Sequence, residues 1–290
     1  MDKRLTGPVL VATDLTPVSD EALRQGDALA RTLGGPLHVC HVVPDLLTVR
    51  MLFPQDQRRD DAFVRELEHH AVDLVQASIA KHTARPRAEV RIGIESGSPH
   101  SGILRRAETM AAGVIVVGPG NVAERVVRHA PCPVLVARPS RRGAVLAATD
   151  FSDFALPAMT AGAAEAVRRG VALVVLHSID LGPVTAMTAG GAYPMIPPIG
   201  AREDLRVRLR AETLHRLRRG LDSVGAKGET IVADDAPGEA IVAAARTLPA
   251  ELVVVGTIGR TGLRRLALGS VAEAVVRSAP CSVLVMRLHR

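Results

Sequence analysis

The sequence predicts an α/β protein with two tandem domains, each a doubly wound parallel sheet. Aliphatic runs that suit strands alternate with amphipathic segments that suit helices, as in right-handed β–α–β crossovers. The chain has four Phe, one Tyr and no Trp, so we expect a core of Val, Leu, Ile and Ala. Such residues form the continuous aliphatic strands of parallel sheets that are buried on both faces.

An internal repeat divides the 290 residues into two copies. The segment Val-Leu-Val-Ala-Thr-Asp at 9–14 returns as Val-Leu-Ala-Ala-Thr-Asp at 145–150, 136 positions later. Towards the end of each copy, Ala-Pro-Cys at 130–132 returns at 279–281, 149 positions later. A period of this length is too long for a solenoid, so we interpret the repeat as a duplicated domain.

The shift between matching positions changes at one place. Matches up to Gly118 and its counterpart Gly256 lie 136 to 138 positions apart, and later ones lie 149 apart. The first copy therefore lacks 11 residues immediately after Gly118. We expect domains at 1–140 and 143–290, joined by a short polar link.

The composition argues against several classes of protein. The formal net charge is +6, but the basic residues are interleaved with acids and lack an aromatic RNA-binding signature. Nucleic acid is therefore not the expected partner, although attraction to nucleotide phosphates stays open. The three Cys have no metal-binding spacing, so we expect buried, reduced thiols and no metal site. Without an apolar signal core or a segment of transmembrane length, we expect a soluble, cytoplasmic protein with no membrane partner.

The strand ends of the second copy carry the candidate binding residues, because ligands of open parallel sheets bind outside the carboxyl ends of the strands. Asp150 lies there, in a turn that starts at Thr149, and Ser152 or Asp153 is expected to cap the next helix. A glycine-rich connection, 256–270, leads from the fourth strand into a helix. Glycine lets the backbone approach an anion closely, and the N–H groups at a helix start favour phosphate.

The glycine-rich connection resembles a known nucleotide-binding loop. The pattern of Gly256, two residues, Gly259, nine residues and Gly269-Ser270 is similar to the G-2x-G-9x-G-(S/T) loop of ATP-binding universal stress proteins. The Ala-Thr-Asp-Phe-Ser run at 148–152 and both Ala-Pro-Cys segments extend the resemblance over nearly the whole chain. A tandem member of that family would have a Rossmann-like, adenine nucleotide α-hydrolase-like fold in both copies.

The resemblance implies a role for each matching residue of the second copy. The residues placed beside the adenine and ribose are Ala148, Thr149 and Asp150. Ser178 falls on the adenine side, where members of the family often have an aliphatic residue. The residues that would hold the phosphates are Gly256, Gly259, Gly269, Ser270 and, through its N–H, Val271. The implied cofactor is ATP, with Mg²⁺ as the cation that would accompany it.

The first copy departs from this pattern. The segment Gly-Pro-Gly-Asn at 118–121 joins strand to helix directly, so the long glycine-rich loop is missing. Asp14 remains at the end of the first strand, but little is left to neutralise a triphosphate. We expect that the first copy does not bind ATP in the family's mode.

Three functions stay open from the sequence. An ATP-binding stress-response sensor or regulator, acting on an unidentified protein partner, is favoured over an enzyme. No nucleophile–base pair stands out, and the Gly-Lys-Ser/Thr sequence of P-loop ATPases is absent. The alternatives are a weak ATPase or phosphotransferase, and a scaffold whose fold serves only dimerisation. The resemblance implies an intramolecular pseudo-dimer of the two domains. A further homodimer and the role of segment 179–202, as a cover for the cleft or a connector, stay open.

Overall fold

The structure is a computed structural model that describes residues 5–43, 57–139, 142–180, 199–257 and 268–287. The chain forms two compact units, one spanning Asp2–Pro139 and the other Ser140–Leu288. Of the predicted binding residues, Gly259 lies outside the described residues, as does most of segment 179–202.

The first domain is a five-stranded parallel sheet with helices on both faces. Its strands are β1 (Val9–Thr13), β2 (Leu37–Val43), β3 (Val90–Ser96), β4 (Val114–Val117) and β5 (Val134–Val136). Its helices are α1 (Pro17–Leu33), α2 (Gln57–His82), α3 (Pro99–Thr109) and α4 (Asn121–His129). The strand order is β3-β2-β1-β4-β5, so right-handed crossovers place α1 and α2 on one face and α3 and α4 on the other.

The second domain repeats this arrangement. Its strands are β6 (Val145–Ala148), β7 (Leu173–Ser178), β8 (Glu229–Ala233), β9 (Leu252–Gly256) and β10 (Ser282–Met286). Its helices are α5 (Leu156–Arg169), α6 (Ile199–Ser223), α7 (Pro237–Thr247) and α8 (Ser270–Ser278). The strand order is β8-β7-β6-β9-β10, which matches that of the first domain element by element.

The predicted fold class is confirmed. Within each domain the paired strands are parallel, and all five residues of β1 and of β10 are buried. The three thiols, at Cys40, Cys132 and Cys281, are buried and free of disulfides, as predicted. In the described part of the chain, no helix is both long and apolar enough to cross a membrane.

Helices α1 and α5 end in the same way. Gly34 follows α1 with φ 63°, and Gly170 follows α5 with φ 64°. In this left-handed conformation each glycine N–H returns to the carbonyls of the last helical turn, which a side-chain-bearing residue would do only at a cost. The chain can then turn at once into the next strand.

Both of these helices approach the sheet closely at a glycine. A Cβ at Gly26 of α1 would overlap Cγ2 of Val11 on β1. A Cβ at Gly162 of α5 would lie 2.8 Å from the Cβ of Ala147 on β6. Glycine at these matching positions therefore sets the distance between helix and sheet in each domain.

Candidate functional site

The carboxyl edge of the second sheet brings the candidate residues together. The strand order reverses at β6 and β9, which lie side by side and are flanked by β7 and β10 respectively. Their register pairs Ala147 with Val254, so Thr149 and Gly256, each two residues further on, lie where these adjacent strands end. In doubly wound sheets this reversal point forms the crevice in which ligands bind.

Asp150 is held in a tight turn by the residue two positions further on. Its Oδ1 accepts hydrogen bonds from the Ser152 backbone N–H at 3.0 Å and from the Ser152 hydroxyl at 2.6 Å. The Thr149 hydroxyl accepts a hydrogen bond from the Phe151 N–H at 3.1 Å. Phe151 has φ 62°, a left-handed conformation that is uncommon for a residue with a side chain. The protein's own hydrogen bonds thus orient the Asp150 carboxylate.

Ser152 does not cap the following helix, so the sequence prediction for Ser152 and Asp153 was wrong. Helix α5 begins at Leu156 with Ala155 as its N-cap, and no side chain caps it. The Ser152 hydroxyl is bonded to Asp150 instead. A serine two residues after an aspartate can satisfy that aspartate locally, and this contact competes with helix capping.

The first domain contains the same turn. Asp14 Oδ1 accepts hydrogen bonds from the Thr16 N–H at 3.0 Å and the Thr16 hydroxyl at 2.6 Å, and Leu15 has φ 63°. Burial raises the pKa of Asp14, but the hydrogen bonds from Thr16 outweigh it and the pKa falls below its usual value. Because both domains have this turn, it does not by itself distinguish their ligands.

A histidine stands near the end of the second strand in each domain. Nδ1 of His177 is 2.7 Å from the carbonyl oxygen of Thr149, and Nδ1 of His41 is 2.8 Å from that of Thr13. A carbonyl only accepts hydrogen bonds, so Nδ1 is the donor in both domains. Each histidine therefore ties the ends of two neighbouring strands together, which is a structural role.

Phe151 forms a stack with His177 and Arg216 beside this turn. The centroids of the Phe151 and His177 rings are 4.3 Å apart, and the Arg216 guanidinium carbon lies 4.1 Å from the centroid of the Phe151 ring. Arg216 belongs to α6, so the stack connects that helix to the turn after β6. Sequence reasoning missed both Phe151 and Arg216. The available signal was a phenylalanine next to Asp150 in a chain with only four Phe.

The glycine-rich loop starts and ends at two hydrogen-bonded residues, Thr257 and Gly269, which together form the neck of the loop. Strand β9 ends at Gly256, and the Gly269 N–H donates to the carbonyl of the following residue, Thr257, at 2.8 Å. The Thr257 N–H donates in turn to the Met286 carbonyl at 3.0 Å. Thr257 and Leu268 are buried at this neck. Both ends of the loop are therefore anchored at the carboxyl edge, beside the end of β6.

Helix α8 begins at this neck. Its N-cap is Gly269, so Ser270 is the first helical residue and its hydroxyl does not cap the helix. Gly269 has φ −66° and ψ 148°, a conformation that any residue adopts, so the backbone does not require glycine there. The first N–H groups of a helix, here including that of Val271, have no partner within the helix itself.

Ser178 bonds to the protein backbone. Its hydroxyl donates to the carbonyl oxygen of Asp235, and the neighbouring Ile179 N–H donates to the Ala233 carbonyl at 2.9 Å. These bonds join the end of β7 to the connection after β8. Ala148, the other candidate on the adenine side, lies opposite Leu176 in the register of β6 and β7.

The first domain has a three-residue connection in place of the loop. Strand β4 ends at Val117 and α4 begins at Asn121, with 118–120 between them. Gly120, the N-cap of α4, has φ 131°, which side-chain-bearing residues rarely adopt. Glycine before this helix thus serves the backbone turn, whereas Gly269 in the second domain has no such conformational need.

Comparison with known proteins places both halves of the chain in one family. The sequence profile of the universal stress protein family matches residues 6–138 and again 142–287. A universal stress protein of Mycobacterium tuberculosis is 30% identical over 318 aligned positions, which cover 97% of this chain and 95% of that protein. Another, from Methanocaldococcus jannaschii, is 32% identical over 139 positions, which cover 48% of this chain and 78% of that protein.

A solved structure has the same fold along the whole chain. The crystal structure of a universal stress protein from Archaeoglobus fulgidus matches with a TM-score of 0.66 at 20% identity and covers 99% of both chains. The sequence matches already extend over both domains, and the predicted resemblance is confirmed by them. With two successive matches to one profile, the chain belongs to the universal stress protein family as a tandem two-domain member.

Proposed function

We propose that the second domain binds ATP and that the chain acts as a stress-response sensor or regulator. The observation that carries this proposal is the meeting of the Asp150 turn with the neck of the glycine-rich loop at adjacent strand ends. Both lie at the reversal point of the sheet, where doubly wound folds bind nucleotides. The first domain has the turn without the loop, so we propose that it does not bind ATP in this way.

The Asp150 turn and the glycine-rich loop suit different parts of the nucleotide. The turn presents an oriented carboxylate, which accepts hydrogen bonds from ribose hydroxyls, and the loop presents N–H groups at a helix start, which favour phosphate. We assign the adenine and ribose to Ala148, Thr149 and Asp150. We assign the phosphates to Gly256, Gly259, Gly269, Ser270 and Val271. Mg²⁺ would accompany the triphosphate, because neutral N–H donors balance only part of its charge.

Gly269 and Ser270 support the phosphate assignment most directly. The backbone at Gly269 needs no glycine, and the absence of a side chain there leaves room for another group to approach the start of α8. The Ser270 hydroxyl is exposed at the first helical position and does not cap α8. Both features suit a phosphate at the start of α8.

The structure supports a positional role for Ser178. Its hydroxyl is bonded to the Asp235 carbonyl, which fixes the end of β7 against the connection after β8. We propose that Ser178 shapes the adenine side of the pocket through its backbone and Cβ, with the hydroxyl kept for this bond.

We propose binding as the main activity in preference to turnover. The side chains nearest Asp150 are engaged within the turn, where Ser152 donates to Asp150 and the Nδ1 of His177 donates to Thr149. None of these hydrogen bonds pairs a hydroxyl nucleophile with a histidine base. Nucleotide occupancy would then act by changing a surface that a protein partner recognises.

Calorimetric titration of ATP into the full chain and two matched variants tests the proposal. Asp150→Ala and Asp14→Ala each remove a carboxylate and its two hydrogen bonds, the first from the turn of the second domain and the second from the turn of the first domain. We expect one ATP per chain and an affinity loss of about tenfold or more in Asp150→Ala, because a hydrogen bond to a charged group is lost. Asp14→Ala should bind ATP with an affinity within about twofold of the unmodified chain.

A third variant addresses the loop. Gly269→Val places a branched side chain at the proposed phosphate position, and we expect it to abolish ATP binding while the domain stays folded. Two equal ATP sites, or equal losses in the two aspartate variants, would overturn the proposal. Continuous phosphate release from bound ATP would instead support the weak ATPase alternative.

A further inference from the structure

The first domain contains a cavity, open to solvent and lined mostly by exposed side chains, on the face of the sheet that carries α3 and α4. Its volume is about 490 Å³, which is in the range of small-molecule sites. The lining residues are His100, Asn121, Glu124, Arg125, Arg128 and His129. All but His100 belong to α4, and His100 lies in the first turn of α3. The cavity is thus built by the seam between these two helices.

The lining carries more positive than negative charge. Among its described residues, two guanidinium groups, which stay protonated at any physiological pH, stand against one carboxylate. Arg125 is exposed and forms no ion pair with any residue that the structure describes. The His100 ring is oriented by hydrogen bonds with the hydroxyls of Ser98, at 2.8 Å, and Ser101, at 3.3 Å. A ligand that matches this lining is an anion.

The second domain shows the same helix pair without these basic residues. The counterparts of His100, Arg125 and His129 are Gly238, Ala274 and Ser278. A Cβ at Gly238 would lie 3.0 Å from the Cβ of Ala274, so α7 and α8 are in close contact at that point. In the first domain, His100 and Arg125 occupy this pair of positions and line the cavity.

Helices α4 and α8 share one Glu and one Arg at matching positions, and α4 carries further basic residues that α8 lacks. Glu124 and Arg128 have the same identities as Glu273 and Arg277, which form an ion pair at 2.8 Å in the second domain. The charge of Arg125 has no counterpart there, because Ala274 stands in its place. The domain that lacks the glycine-rich loop is therefore the one with extra positive charge on its last helix.

We propose that this cavity is a binding site in the first domain for a small molecule with two or more phosphate charges. The guanidinium fork matches the geometry of phosphate oxygens, and Arg125 and Arg128 are neighbours on one helix face. His129 adds an imidazole as a hydrogen-bonding group at the same cavity, and the His100 ring, held by Ser98 and Ser101, lines its other side. The site lies on the face of α4 and is separate from the ATP site proposed for the second domain. A nucleoside polyphosphate and inorganic pyrophosphate share this chemistry.

Histidine NMR of the full chain, titrated with pyrophosphate or ATP at fixed ionic strength, tests this site directly. The variants His100→Gly and His129→Ser, which carry the residues of the second domain, assign the two imidazole signals. We expect saturable shifts of both signals with at least one of the two ligands, and the comparison identifies the source of the phosphates. Arg125→Ala should weaken the apparent Kd about tenfold or more, because a charged hydrogen-bonding group is lost.

Arg87→Ala is the matched control, since Arg87 is an exposed arginine of the first domain outside the cavity. It should leave the apparent Kd within about twofold of that of the unmodified chain. No saturable shift with either ligand, an unchanged Kd in Arg125→Ala, or an equal response to sulfate would overturn the proposal. Asp150→Ala should retain the shifts, so a failure of the second-domain ATP site is distinguishable from a failure here.

Discussion

The ring of His177 lies against the ring of Phe151, with centroids 4.3 Å apart and planes inclined by 39°. The guanidinium carbon of Arg216 lies 4.1 Å from the centroid of the same Phe151 ring. His177 is also bonded to Thr149, so the stack joins two strand ends and helix α6 into one unit. The turn that holds Asp150 is therefore in contact with helix α6 as well as with the end of β7.

Removing this stack is expected to destabilise the second domain. Phe151→Leu provides the aliphatic residue that Leu15 places at the same turn position of the first domain, but it loses the aromatic and cation–π contacts. We expect a loss of about 1–2 kcal/mol in the free energy of unfolding. A double-mutant cycle with Arg216→Ala should give a coupling energy of about 0.5–1 kcal/mol, measured by urea denaturation.

Arg219→Ala provides the control for this cycle, because Arg219 is an exposed arginine of the same helix. Its effect on the unfolding free energy should stay within about 0.5 kcal/mol and add to that of Phe151→Leu without coupling. A coupling energy of zero between Phe151 and Arg216 would show that their proximity contributes nothing to stability.

The fold was predictable from the sequence because its signals are local. Aliphatic strands, Gly34 and Gly170 after their helices, and the repeat itself can all be read without tertiary information. The stack was not predictable, because Arg216 reaches Phe151 only after α6 has packed against the sheet. The error at Ser152 has a related cause, since two local hydrogen bonds competed and the sequence does not rank them.

A polar cluster inside the first domain illustrates the same limit. His38 lies on β2 with only 6% of its surface exposed, and its Nδ1 is buried without a hydrogen-bond partner in the described structure. Burial, together with the charges of Arg91 and Arg106, lowers the pKa of His38. The second domain has Val174 at the matching position. The alternation of strand residues places a buried, normally aliphatic side chain at this position, and only the structure shows that His38 is the residue buried there.

Glu165 is expected to make the stability of the second domain depend on pH. Burial raises the pKa of Glu165, but hydrogen bonds and charges from Arg168 and Arg169 outweigh it and lower the pKa below its usual value. A folded-state pKa below the unfolded one means that the stabilisation is present above the unfolded pKa and is lost as the pH falls through the folded pKa. Glu165→Gln should therefore lose about 1–3 kcal/mol near neutral pH, and this deficit should shrink in acid.

Thermal unfolding of both chains between neutral and acidic pH checks this prediction. Glu203→Gln is the control, because both side chains of its ion pair with Arg206 are exposed and such pairs contribute about 0–1 kcal/mol. A deficit in Glu165→Gln that is constant across the pH range would mean that the charge of Glu165 does not contribute.

The three thiols are expected to be unreactive in the native protein. Burial, reinforced by the negative charge of Glu95, raises the pKa of Cys40 to about 12, so almost none of it is thiolate near neutral pH. Cys132 and Cys281 are buried as well. A disulfide reagent at pH 8 should modify no thiol in the folded chain and all three in urea. Rapid modification of one native thiol that disappears in Cys40→Ser would contradict the assignment.

Because α1 approaches its sheet closely, we predict that Val11→Ala partly restores the stability that is lost in Gly26→Ala. Gly26→Ala gains helix propensity, yet the new Cβ would overlap Cγ2 of Val11, so we expect a net loss of about 1–3 kcal/mol in unfolding free energy. Val11→Ala, which provides the residue found at Ala147 in the second domain, should recover part of that loss in the double variant. Gly220→Ala is the control, because its Cβ would meet the flexible end of Met159 at 2.9 Å and should cost less than about 0.5 kcal/mol. Urea denaturation measures all four chains, and additive effects of Gly26→Ala and Val11→Ala would mean that another contact sets the distance between α1 and β1.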